Sequence, residues 1–426
     1  MNVWLIKDGE FLPVQRDVRK MRTWMLAESL VEKGHSVVWW SSTFSHQFKK
    51  LLYSKDTEAD VNPLFQLRML YAGAYRKNVS LARILHHWRL GRKFYTSAER
   101  LPVPDVIVCA YPTIELAYHV TSYAQSKNVP LIIDIRDQWP STYMQVSPGF
   151  LKPLAIFLVR YHLPKTREVM SKSDRLVSMS EGCLRWGKNL AGRLDETCHK
   201  VFYIGYAENE KSSEQSIRSA RIRELRDALA GKVVFTFVGS FGFSYQLGLV
   251  LDVAERILTN GYANIHFVLA GDGQQFDSLS KRARTLPNVS LPGWLDGHEI
   301  HHLLALSHVG LVPVLNFGEG TLPNKPFEYF ASGLPVLSSL RGEMEEILSV
   351  NEVGFTYDCG DMQGFYDLVI QLASEKSLRK RLGENAMRIY KERFKADVIY
   401  TAYASFVEEV AAKKKDNDQA SIRHPV

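Results

Sequence analysis

The chain has 426 residues, too many for one ordinary hydrophobic core, and its 46% apolar and 23% charged content excludes a disordered or fibrous protein. Its net charge of +7 is confined to the first 100 residues, which hold 17 Lys/Arg against 9 Asp/Glu, whereas the rest hold 36 against 37. Four scattered cysteines (Cys109, Cys183, Cys198 and Cys359) exclude a disulfide framework and a Cys-x-x-Cys zinc site, which fits a reducing cytoplasm.

Taken in chain order, Asn2–Ile6 reads as a strand and Asp17–Lys33 as a helix that Gly34 ends. Lys7 and Asp8 interrupt the first apolar run, so it does not read as a signal peptide. Ser36–Trp40 and Asp105–Ala110 are the next strands, and a helix over Thr113–Ser126 follows the second. Val129–Ile135 is a near-continuous apolar strand, as a parallel sheet covered on both faces requires. A long helical stretch precedes strands at Arg175–Met179 and Val201–Ile204. Phe150–Leu163 within it is the nearest approach to a membrane span, but Lys152, Pro153 and Arg160 break it.

The polar, turn-rich stretch Glu208–Ser216 is the linker candidate. Beyond it strands read at Lys232–Val238, Ile265–Ala270, Val289–Leu291, Val309–Val314, Pro335–Ser338 and Gly354–Thr356. Helices fill the gaps at Leu247–Asn260, Gln274–Arg284, Asp296–Leu306, Asn324–Ser332, Met344–Leu348 and Asp361–Glu375. Such alternation predicts an α/β protein with two Rossmann-like domains in tandem. Residues 1–206 form the first and 207–390 the second, followed by a helix over 391–412 and a disordered polar tail over 413–426.

The basic surplus gathers in Arg68, Arg76, Lys77, Arg83, Arg89, Arg92 and Lys93. It is interleaved with Leu70, Tyr71, Tyr75, Leu81, Ile84, Leu85 and Trp88. Such a mixture suits an anionic membrane surface, each basic residue adding about 1 kcal/mol. It equally suits a solvated helix with its apolar side in the core. No recognition motif supports nucleic acid.

The most informative segment is Gly318–Leu337. A Gly-Thr-Leu-Pro loop (Gly320–Pro323) leads through Asn324 into a helix carrying Lys325 and Glu328 in its first turns. Free backbone N–H groups at a helix start favour an anion, Lys325 adds a mobile point charge, and Glu328 accepts hydrogen bonds from sugar hydroxyls. Phosphate donors beside a hydroxyl acceptor suggest a nucleotide-sugar site, with Gly320, Thr321, Leu322 and Asn324 supplying its loop. Two glycine turns join it at strand ends: Gly239-Ser240-Phe241-Gly242 and Ala270-Gly271-Asp272-Gly273. Each alone reads as a tight turn, but ligands of open α/β sheets sit at this edge. Trp294, after Leu291-Pro292-Gly293, either borders a nucleobase or packs between sheet and helix.

In the first half, Asp134-Ile135-Arg136-Asp137-Gln138-Trp139-Pro140 ends a strong strand. Asp137 is the candidate to orient or deprotonate an acceptor hydroxyl. Arg136 either binds an anionic acceptor or pairs with Asp137, and the bland alternative is a structural ion pair. Asp8-Gly9 occupies the corresponding edge after the first strand, with Arg19 or Arg22 near it. The 13 histidines show no ligand spacing, and the only Asp-x-Asp is Asp416-Asn417-Asp418 in the tail, so a mechanism without metal or cofactor is expected.

Gly34-His35-Ser36-Val37-Val38, Asp134–Pro140, Gly239, Ala270–Gly273, Asn288 through Gly293 and Pro323–Pro335 stand in an order and spacing that resembles GT-B fold glycosyltransferases. The resemblance is to family 4, the retaining nucleotide-sugar transferases, and within it to enzymes of bacterial surface-polysaccharide synthesis. It implies a donor site for a nucleoside diphosphate sugar, UDP-linked in the first instance, in the second domain. It implies an acceptor side, including Gly9 and Arg136, in the first, and a last helix crossing back to the first domain. The implied acceptor is a lipid diphosphate-linked or oligosaccharide hydroxyl in lipopolysaccharide (O-antigen), capsule or exopolysaccharide synthesis. The implied location is the cytoplasm or the inner face of the cell membrane. Two departures matter. The family's first loop glutamate is replaced by Gly320, with Glu319 one residue earlier, and Ser240–Gln246 lacks the usual Arg and Lys. A non-catalytic sugar-nucleotide binder partnering another transferase and a GT-B nucleotide-sugar epimerase are the competing readings.

Overall fold

Parallel strands with unbroken apolar runs build both halves of this computed structural model, which describes residues 1–16, 18–77, 80–147, 149–207, 219–315, 320 and 322–423. The linker candidate Glu208–Ser216 and the loop residues Gly318, Glu319 and Thr321 lie outside the described residues. Two units emerge, Met1–Tyr203 with Asp397–Val426 and Ile204–Ala396, where the sequence reading put its boundaries at 207 and 391.

The first unit carries strands β1 (Asn2–Ile6), β2 (Ser36–Ser42), the hairpin β3 (Phe44–Ser45) and β4 (Lys50–Leu51), β5 (Thr57–Asn62) and β6 (Phe65–Leu70). β7 (Val106–Tyr111), β8 (Leu131–Ile135), β9 (Arg175–Ser178) and β10 (Lys200–Val201) follow. Its main sheet has the order β10-β9-β8-β7-β1-β2-β6-β5, parallel except for β5. Every residue of β7 and β8 is buried, as their apolar sequences, interrupted only by Asp134 in β8, require. Trp4 of β1 stacks on Tyr123 at 5.6 Å and packs edge-on against Phe94, so the helices Leu81–Ala98 and Ile114–Lys127 share one core with the sheet.

The strand pairs β3–β4 and β5–β6 are absent from the sequence reading. Thr57–Asn62 is polar and mostly exposed, so it carries no alternating apolar signal, and only pairing with the apolar β6 makes it a strand.

The second unit carries β11 (Val233–Val238), β12 (Ile265–Ala270), β13 (Val289–Gly293), β14 (Val309–Val312), β15 (Val336–Ser338) and β16 (Gly354–Thr356). They form an all-parallel sheet ordered β13-β12-β11-β14-β15-β16. Strand order reverses between β11 and β14, which opens a crevice at their carboxyl ends.

The last helix is Ala396–Arg423 and lies with the first unit, where Tyr403 stacks on Phe202 at 4.5 Å. The sequence reading had a disordered tail over 413–426, of which residues 424–426 lie outside the described residues. The helix runs on past Lys413 because Ala411 to Lys415 and Ala420 are strong helix formers.

Candidate functional site

At the carboxyl edge of the second sheet the three turns after β11, β12 and β13 are zipped together by their backbones. Gly239 donates to the Ala270 carbonyl at 2.9 Å, Phe241 to that of Asp272 at 2.8 Å, and Gly271 to that of Gly293 at 2.8 Å. This needs glycine. Gly239, Gly271 and Gly273 have φ of +148°, +148° and +149°, and a Cβ on Gly271 would lie 1.8 Å from the Gly239 carbonyl oxygen. Ser240 is exposed beside them, and the Gly242 carbonyl accepts from the Tyr245 amide and the Gln275 side chain.

Across the switch point, Asn324 precedes the helix Lys325–Ala331, and Leu322 is buried beneath the loop. Gly320 has φ +104°, a value that tolerates the glycine found there in place of a glutamate. Tyr329 fastens this helix to the sheet. Its hydroxyl accepts from the Val238 amide at 3.0 Å and donates to the Leu311 carbonyl at 3.3 Å, and its ring fills the space a Cβ on Gly310 would need.

So anchored, the helix lays the Lys325 side chain against Gly239, where an added Cβ would meet Cε at 2.4 Å and Nζ at 2.5 Å. Lys325 Nζ donates to the Tyr245 hydroxyl at 2.6 Å and lies over the rings of Tyr245 and Phe237. Burial pulls its pKa down to about 8, against the opposing charge of Glu328. Glu328 is only 8% exposed and stands one turn after Lys325, whose charge it opposes. Trp294 is 70% exposed after the edge strand β13, so it does not pack between sheet and helix.

The structure therefore brings Gly239, Gly271, Gly273 and Lys325 together at one edge. Tyr245, which contacts Lys325, escaped the sequence reading, because nothing local distinguishes it from a core aromatic.

In the first unit the Asp134–Asp137 segment is arranged differently from the sequence expectation. Asp134 does stand at the end of β8 but is fully buried there, and Arg136 pairs with it and with Glu10, not with Asp137. Arg136 Nη2 also donates to Thr23 Oγ1 at 2.9 Å. Asp137 accepts from the Gln138 amide at 2.8 Å and from Trp139 Nε1 at 2.9 Å, bonds that shape its own turn. Gly9 has φ +82° and gives its carbonyl to Gln47. Asp8 accepts from Ser42 Oγ at 2.5 Å and faces His86 Nε2 at 3.5 Å. Burial would raise the Asp8 pKa, but His86 and Ser42 outweigh it and hold the carboxyl well below the usual range.

Among the described residues one side-chain group has the ligand atoms and spacing to hold a metal: Glu196, Cys198 and His199, in the first unit. His199 Nδ1 accepts the Leu176 amide at 3.0 Å, so its proton sits on Nε2 and faces Glu196 at 3.1 Å. Arg193 holds Glu196 as well. The three side chains are thus engaged with one another and with Arg193.

Residues 218–388 match the family model described as "Glycosyl transferases group 1". The chain is 30% identical over 142 residues to the lipopolysaccharide core biosynthesis glycosyltransferase LpsE of Rhizobium meliloti, covering 33% of this chain and 40% of that protein. It is 23% identical over 260 residues to the O-antigen chain mannosyltransferase C of Escherichia coli, covering 60% and 66%. These matches thus span about half of the relatives' own lengths. Among solved structures, sucrose-phosphate synthase from Thermosynechococcus elongatus superposes with a TM-score of 0.73 at 15% identity, over 97% of this chain and 99% of that one. Anabaena Alr3699/HepE in complex with UDP superposes with 0.65 at 15% identity, over 96% and 100%. The chain has the GT-B fold, and residues 218–388 of its second unit match the glycosyl transferases group 1 model.

Proposed function

We propose that the chain is a glycosyltransferase that moves a sugar from a nucleoside diphosphate, UDP in the first instance, to a hydroxyl of a glycan acceptor in surface-polysaccharide synthesis. The observation that carries this is Lys325 and Glu328 together: an ammonium laid against Gly239 and a largely buried carboxylate one turn later, at the switch point of a sheet edged by three glycine turns. Lys325 neutralises the diphosphate, with the start of the helix Leu247–Thr259 behind the glycine turn. Glu328 takes the ribose hydroxyls, and Trp294 borders the base.

Transfer proceeds with retention and without metal, the charge on the leaving diphosphate being met by Lys325 and backbone amides. UDP in the Anabaena structure, and the lipopolysaccharide-core and O-antigen-chain roles named for the two curated relatives, support the donor and acceptor classes. A thermal-shift series with nucleoside diphosphates and their sugars tests the reading. A ligand at 100 times its Kd raises stability by about 2.7 kcal/mol, and no shift with any of them would sink the donor site. Transfer that persists undiminished in EDTA, with product of retained anomeric configuration, checks the mechanism.

The acceptor is lipid-linked and the protein works at an anionic membrane surface. The helices Leu81–Ala98 and Lys152–Lys172 support this, because they line one apolar cavity through Ile84 and Leu158 and expose large apolar groups around it. Leu81 is 83% exposed and Phe157 64%. Arg89, Arg92 and Arg160 stand among these groups, while Arg68 and Lys93 are taken by Glu58 and Asp56. No helix among the described residues is long and apolar enough to cross a membrane.

A nucleotide-sugar epimerase is the second reading, favoured by Asp8, His86 and His87 meeting at the edge of the first sheet. Conversion of donor with no acceptor present would decide for it.

A further inference from the structure

Ser240–Gln246 contains no arginine or lysine, so the turn after β11 has no cation of its own to offer a diphosphate. It does contain Tyr245, and the fold fixes that residue from several sides. The Tyr245 amide donates to the Gly242 carbonyl at 3.1 Å, and the Tyr245 carbonyl accepts from Gln275 Nε2 at 3.2 Å. Its ring meets Phe237 edge-on at 5.1 Å. The neighbouring backbone is bound to the strand leaving β14, through Gln246 to the Pro313 carbonyl at 2.7 Å and Leu315 to the Ser244 carbonyl at 2.8 Å. Tyr245 therefore bridges the glycine turn and the start of the Lys325 loop.

Its hydroxyl accepts one proton of the Lys325 ammonium at 2.6 Å. The phenol's own proton has no acceptor among the described residues, and neither have the other two ammonium protons. Burial raises the Tyr245 pKa, so the group stays a phenol and remains a donor. Unfilled donors from two side chains thus converge beside Gly239, whose missing Cβ leaves the space that the Lys325 side chain occupies.

We propose that Tyr245 and Lys325 form a two-residue clamp on the diphosphate of the donor, the Tyr245 hydroxyl donating directly to a phosphate oxygen while holding the ammonium in place. The clamp rests on the donor-site reading above and adds a second binding side chain to it. It compensates for the basic residues absent from the turn. No proton changes hands, since phenol and ammonium both act as hydrogen-bond donors.

The test compares wild type and Tyr245→Phe by calorimetry with UDP, GDP and ADP and with the matching free nucleosides. Tyr245→Phe keeps the ring against Phe237 and Lys325 and removes only the hydroxyl, and its melting curve is recorded as the check on folding. The expected result is a loss of about 10- to 100-fold in affinity for the diphosphate that binds wild type best, with the nucleoside unaffected. Equal losses for diphosphate and nucleoside would mean a loop-shaping role and overturn the clamp. Unchanged diphosphate binding in Tyr245→Phe would overturn the clamp and leave the donor site standing. No diphosphate binding to wild type would overturn both. If Tyr245→Phe melts early, Lys325→Met supplies the second arm. It must show the same selective loss for the diphosphate, and an equal loss for the nucleoside overturns the clamp.

Discussion

Arg22 and Asp134, 112 residues apart in the chain, form a two-pronged buried ion pair with Nε 2.9 Å from Oδ2 and Nη2 3.1 Å from Oδ1. The same guanidinium donates to the Phe202 and Tyr203 carbonyls and lies over the Tyr403 ring. Arg136 adds a second cation to Asp134 and reaches Glu10. This network ties β8, the first helix and the last helix of the first unit together. Arg136 is thereby an internal strut rather than a group open to an acceptor.

Removing Asp134 would leave two guanidinium groups facing each other in a dry interior. Asp134→Ala is expected to cost about 3–5 kcal/mol, read by chemical denaturation. Arg136→Gln is expected to lower stability while leaving the acceptor KM within a few-fold of wild type. A large rise in that KM with no stability loss would return Arg136 to the acceptor side.

Lys325 and Glu328 carry the donor site. Lys325→Ala is expected to lower kcat by about 100- to 1,000-fold, the scale for losing one donor to developing charge. Glu328→Gln is expected to weaken nucleotide binding more than turnover at saturation, because the ribose contact is equal in ground and transition states. Steady-state kinetics with a reconstituted acceptor separate the two effects.

Burial sets the pH response of Lys325. Its pKa in the free protein is about 8, and only the ammonium attracts a diphosphate. Affinity for the nucleoside diphosphate should hold steady below pH 8 and fall as pH rises through it, by up to about tenfold per unit. The nucleoside should show no such fall. Isothermal titrations from pH 6.5 to 9.5 check this, and a flat profile would contradict the assignment.

The glycine turns separate space from backbone conformation. Gly271→Ala meets the Gly239 carbonyl and an unfavourable φ together, and is expected to cost about 2–4 kcal/mol and to abolish nucleotide binding. Gly192→Ala has φ +68° with nothing within 4 Å of the new Cβ, and is expected to cost about 1–2 kcal/mol with binding intact. Melting curves with and without nucleotide distinguish them.

Vesicle flotation tests the apolar helices. Leu81→Ser with Phe157→Ser should reduce recovery on vesicles of anionic phospholipid several-fold, with little change on zwitterionic ones and no loss of nucleotide binding. Equal recovery on both vesicle types before mutation would remove the electrostatic part of the membrane reading.

Local chemistry made much of this protein readable as a sequence. Apolar runs such as Leu131–Ile135 and Ile265–Ala270 have no other comfortable conformation than a strand covered on both faces, so the two Rossmann-like sheets follow from the chain alone. Glycines at 239, 271 and 273 announced turns, since only glycine accepts their φ. What lay out of reach depends on residues meeting across long stretches of chain. The polar strand Thr57–Asn62 exists because β6 offers it an edge. The partners of Asp134 are the guanidinium groups that arrive in the same dry interior, Arg22 as well as Arg136, whereas spacing offered Arg136 a pairing with Asp137. Tyr245 meets Lys325 across 80 residues because Tyr329 pins one helix under the sheet and the loop after Gly239 is sewn to the strand leaving β14. Propensity and turn chemistry act over a few residues, and burial decides the rest.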